Sequence, residues 1–166
     1  AYTDIKSGFL KIARWKAKKW RKVTVDGGGG SSGRTRSAIT GPISLCVNGS
    51  GSNQTLHIFY SESEDRDLHY AMYNGKKFTY EIVDGNGTVV NDYKDPVRVR
   101  TGSDVSISNA CVATAGGVQV FYRDESQGIL LGATKIAGSS NWKYELVDGD
   151  RKTDGRSIGD VGFHLK

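Results

Sequence analysis

The residues best suited to hold a ligand lie near the amino end. Lys11 to Lys22, KIARWKAKKWRK, carries seven basic side chains interleaved with Trp15 and Trp20. By itself this is the composition of a cationic amphipathic helix resting on a membrane, or of a patch for an anionic polymer such as nucleic acid or an acidic or sulfated glycan. Further aromatics recur at Tyr60, Tyr70, Tyr73, Phe78, Tyr80, Tyr122, Trp142 and Tyr144. A pyranose has an apolar face that stacks on Trp or Tyr, while its hydroxyls need Asn, Asp, Arg or backbone partners. At recurring positions such as these, the same rings read first as core. Arg14, Trp15, Trp20, Tyr73 and Trp142 form the candidate ligand-binding set, with a glycan as the first ligand class and an anionic polymer as the second.

Other chemistries start from weaker patterns. His57, His69 and His164 are scattered, and no HExxH, GxSxG, GxGxxG or Walker spacing occurs, so no catalytic residue, metal or cofactor is assigned. Cys46 and Cys111 are too few for a disulfide framework and lack metal-site spacing. The acidic run Ser61 to Asp67 and the pair Asp124-Glu125 offer carboxylates to calcium without the spacing of a known calcium loop, which favours a solvated turn. Gly27 to Gly30 with Ser31-Ser32-Gly33 precedes Arg34 rather than a Lys-Ser/Thr helix start, so it reads as a flexible loop and not a phosphate cradle.

The elements that must position these residues come from an internal repeat. Leu10 to Gly27 lies over Leu68 to Gly85 without a gap, and Leu130 to Gly149 is a third copy with two residues inserted. Upstream, Leu56 to Leu68 matches Val118 to Leu130, PISLCV (Pro42 to Val47) matches ISNACV (Ile107 to Val112), and AYTDIKSGFL fits FYRDESQGIL. SIGDVGF (Ser157 to Phe163) reads as another copy of the PISLCV piece. Within each copy the apolar residues alternate, as in Leu56-Ile58-Tyr60 and Val118-Val120-Tyr122, and Gly, Asn, Asp and Ser clusters separate the runs. Asn74-Gly75 marks a hairpin, and the same register places Ala17-Lys18 at a turn. The basic run is therefore expected to be an outer hairpin, its Trp rings packed between units, and not a helix.

A tandem unit of four antiparallel strands predicts an all-β fold of β-propeller blades, about three per chain. The expected division is the end of one blade plus linker over 1–40, complete blades over 41–101 and 102–152, and the first strand of a further blade over 153–166. Three blades do not close a ring, and the open edges call for a second propeller chain, either an identical copy or a sequence-related subunit cleaved from a common precursor. Equivalent positions on neighbouring blades are expected to hold Cys46 and Cys111 apart as buried free thiols.

The pattern Phe59-Tyr60…Leu68…Ala71…Asn74-Gly75…Phe78…Glu81…Val83-Asp84-Gly85 resembles the blades of bacterial and fungal β-propeller lectins and the wider sialidase-like propellers. That resemblance implies glycan binding in clefts between blades. A sialidase would add S-x-D-x-G-x-T-W boxes and an arginine triad; Ser139 to Trp142 echoes the box faintly, and Arg34, Arg36, Arg98 and Arg100 occupy matching loops. A carbohydrate-binding subunit of an oligomer or processed complex is the leading expectation. The alternatives are a subunit of a glycan-processing propeller enzyme and a structural, protein-binding propeller. No apolar run approaches the ~18 residues of a membrane helix. The start AYTDIKSG lacks signal-peptide character, so any such signal has been removed. Sequons at Asn48, Asn53 and Asn86 point toward a secreted or cell-surface protein.

Overall fold

The computed structural model describes residues 1–29, 33–85, 104–105, 107–149, 155–157 and 160–165. Asn86, Arg98, Arg100 and the Gly30-Ser31-Ser32 part of the glycine run lie outside them. The described chain is all-β, with three antiparallel meanders in sequence order. The first sheet holds β1 (Tyr2–Asp4), β2 (Phe9–Lys16) and β3 (Lys19–Asp26). The second holds β4 (Ser44–Asn48), β5 (Thr55–Ser61), β6 (Leu68–Tyr73) and β7 (Phe78–Asp84). The third holds β8 (Asn109–Thr114), β9 (Gly117–Asp124), β10 (Ile129–Ile136) and β11 (Lys143–Asp148).

Strand pairing reproduces the repeat in detail. Leu10 pairs with Asp26, Leu68 with Asp84 and Leu130 with Asp148, and each pair is followed by the same register shift. Such a bulge bends the outer pair of strands locally. The β2–β3 hairpin turns on Ala17 and Lys18, both at positive φ, where the second sheet has Gly75 and Lys76. After the repeated Asp, Gly85 sits at φ +113, and a Cβ there would lie 2.5 Å from Asp67 Oδ1. Only glycine satisfies both demands.

Alternation leaves two apolar faces per sheet, and consecutive sheets bury them against each other. Leu10, Ile12 and Val25 of the first sheet pack with Ile58, Tyr60 and Ala71 of the second. Phe59, Leu68, Tyr70 and Val83, on the other side of the second sheet, pack with Val118, Val120 and Leu131 of the third. The crossing segments also repeat. The N–H of Ile39 donates to Gly8, that of Val105 to Arg66 and that of Val161 to Gly128. Val161 thus sits where Ile39 and Val105 sit, in the segment that leads to a first strand. Of Ser157 to Phe163, read from sequence as such a strand, Ile158 and Gly159 lie outside the described residues. Arg123, 2% exposed, holds this segment by donating to the Val161 carbonyl and pairing with Asp160 and Glu125, its guanidinium over the Phe163 ring.

The cysteines depart from expectation. Cys46 and Cys111 form a disulfide between the second and third sheets, with Cα atoms 6.0 Å apart. Cys46 pairs with His57 and Cys111 with Val120. His57 corresponds to Gln119, whereas Val120 corresponds to Ile58. The two cysteines are therefore one place out of step, not equivalent. A one-residue offset in a strand reverses the direction of the side chain. Cys46 faces forward and Cys111 faces back, across the same junction.

Candidate binding clefts between sheets

Each junction is pinned by the repeated Asp. The Tyr60 hydroxyl donates to Asp26 (2.5 Å) and the Tyr122 hydroxyl to Asp84 (2.6 Å). Asp26 also accepts from the N–H groups of Gly27 and Thr35. Burial pushes the Asp26 carboxyl above its ordinary range, and these donors oppose that rise. Burial with the neighbouring Asp26 drives the Tyr60 hydroxyl far upward, so it stays a donor. The Tyr of the F-Y motif and the Asp of the V-D-G motif are thus structural. Tyr80 and Tyr144 donate in the same way to the carbonyls of Val25 and Val83 on the preceding sheet.

Above this pinned layer, the second and third sheets enclose a cleft of about 540 Å³. Its walls include Asn48, His57, Thr79 and Glu81 from the second sheet, and Lys135 and Ser139 from the third. Lys135 Nζ donates to both Glu81 oxygens, and the Trp142 indole N–H donates to Oε2 at 2.9 Å. His57 Nδ1 and the Tyr70 hydroxyl share a hydrogen bond of 2.7 Å. Burial lowers the His57 pKa and raises that of Tyr70, the latter helped by Glu81. The His57–Tyr70 part of the second-sheet wall is consequently neutral at physiological pH, and the Glu81–Lys135 ion pair bridges the two walls. Hydroxyls of a bound molecule would find acceptors on Glu81 and Asn48 and donors on Lys135, Thr79 and Ser139.

The five sequence-predicted residues fall into three places. Arg14 lies over the Tyr73 ring, 5.3 Å from its centroid, at the junction of the first and second sheets. Arg21 pairs with Arg14 across the hairpin and shares its side of the sheet. Trp15 and Trp20 pair edge to face (5.4 Å) on the opposite side and are 62% and 63% exposed, so they are not packed between sheets. Trp142 meets Phe59 and Tyr70 edge-on at the second junction and reaches the cleft through its N–H. Sequence reasoning missed the Glu81–Lys135 pair and His57. Glu81 stood in the repeat pattern and recurs as Glu145, whereas Lys135 replaces Trp15 and Tyr73 of the other units and so carried no periodic signal.

The acidic run is not simply solvated. Glu62 is buried, and its carboxylate accepts from the N–H groups of Glu64, Asp65 and Arg66, closing its own loop. Burial works upward on its pKa, but these donors outweigh it and hold the carboxyl below its ordinary value. The loop borders a second hollow of about 430 Å³, bounded by Thr40, Pro42, Arg66 and Asp104. No three-residue His, Cys, Asp or Glu cluster fit for a metal exists among the described residues. Compared with protein-family models, curated proteins and solved structures, the sequence and the fold match none.

Proposed function

We propose that the three sheets are blades of a β-propeller and that the chain is a carbohydrate-binding subunit holding glycans in the clefts between blades. One observation carries this reading. The cleft between the second and third sheets is walled by Asn48, Thr79, Glu81, Lys135 and Ser139, a set of hydroxyl-binding groups drawn from two blades. At the first junction, Arg14 and Arg21 occupy the places of Met72 and Thr79 and are exposed, which suits that surface to acidic sugars. The Cys46–Cys111 disulfide supports a secreted or cell-surface setting, because such bridges persist in oxidising compartments.

A glycan array probed with the labelled chain tests the proposal. Retention of one glycan class is expected, lost in Thr79→Arg, whose side chain fills the cleft, or, for acidic glycans alone, in Arg14→Ala. An array without retained glycans overturns the reading. Turnover of fluorogenic glycosides would replace it with the enzyme alternative, since hydrolysis works through a pair of carboxylates.

A further inference from the structure

One side of the first sheet is open, although the repeat shows what covers that side elsewhere. In the second sheet it carries Tyr73, Phe78 and Tyr80, packed on the core shared with the first sheet. In the third it carries Lys135, Trp142 and Tyr144, with Trp142 bonded to Glu81 and Tyr144 to the Val83 carbonyl. The register puts Trp15, Trp20 and Lys22 in these places on the first sheet, and all three are exposed.

The forward side of the third sheet is the matching half. Glu145 stands at the place of Glu81 and is exposed, and Val112 stands at the place of Cys46, 47% exposed. Asp148 occupies the place of Asp26 and Asp84, while Tyr2 of the first sheet occupies that of Tyr60 and Tyr122. The Tyr–Asp and Trp–Glu pairs seen at the observed junctions thus have their donor counterparts, Tyr2 and Trp20, on one open side and their acceptor counterparts, Asp148 and Glu145, on the other. The Val161 crossing also follows the path that leads from one sheet to the next.

We propose that a second copy of this chain covers these sides, the first sheet of each copy docking on the third sheet of the other. Trp20 donates to the partner subunit's Glu145 as Trp142 does to Glu81, and Tyr2 donates to the partner subunit's Asp148 as Tyr122 does to Asp84. The contact is heterologous and, made twice, closes on itself. Only the number of copies rests on the propeller reading. Two copies supply six such sheets, within the about 4–8 blades of propellers. Glycan retention is measured separately and stands or falls by itself.

Sedimentation velocity of the intact chain over a micromolar concentration series is the test. A two-copy species is expected. Trp20→Ala and Glu145→Lys, both at exposed positions and each checked for an unchanged far-UV spectrum, should each weaken the pair by about thirtyfold or more, the effect of losing a central aromatic or charge anchor. A monomer throughout, growth beyond two copies, or a pair indifferent to either substitution overturns the proposal.

Discussion

The Tyr60 ring stacks on His69, a side chain with less support than its neighbours. Burial lowers the pKa of His69, although Asp26, Glu62 and Asp65 pull it upward, and its buried Nε2 lacks a hydrogen-bond partner among the described residues. His57 is lowered by burial as well. The unfolded chain therefore takes up protons first as pH falls below the ordinary histidine value of 6.5. Stability from these two side chains is complete above that pH and is lost as pH falls toward the folded-state values. The third sheet has Leu131, fully buried, at the place of His69. His69→Leu is expected to melt no lower than the parent at neutral pH and to lose less melting temperature between about pH 7.5 and 5.5. Thermal denaturation across that range checks it, and an unchanged slope would contradict a neutral, buried imidazole.

Among the elements, the β2–β3 hairpin is the most visibly compromised. Ala17 and Lys18 both adopt left-handed φ, at 52 and 60, which costs a residue with a Cβ roughly 1–2 kcal/mol. Two-residue hairpin loops favour Asn-Gly for this reason. Ala17→Asn with Lys18→Gly should therefore raise unfolding stability by about 1 kcal/mol in urea titration. This turn was legible in the sequence, as was nearly every strand, because Leu10, Leu68 and Leu130 and their Asp partners keep one register through all copies. The cysteine register was not legible. PISLCV and ISNACV look aligned through Cys-Val, and only the pairing with β5 and β9 shows the slip. Nor was the Glu81–Lys135 contact legible, since it joins residues from different copies. The same limit applies to Trp15 and Trp20, whose exposure depends on what lies beside the first sheet.

For the whole molecule, the disulfide is the largest single constraint between sheets. It closes a loop whose ends are 65 residues apart, and chain entropy assigns such a closure about 4 kcal/mol, with about 2–4 typical of native bridges. Cys46→Ala with Cys111→Ala, or reduction of the parent, should lower unfolding stability within that range and shift the urea midpoint accordingly. A midpoint unmoved by reductant would show that packing between the second and third sheets already suffices. The bridge also fixes how tension would travel through the chain. A pull applied at Ala1 and Lys166 passes from β4 to β8 through the sulfur atoms, so β5, β6 and β7 bear no load and cannot lengthen. At most ~3.6 Å per residue, the slack withheld inside that loop is on the order of 200 Å, which makes the second sheet a mechanically silent element between two extensible ends.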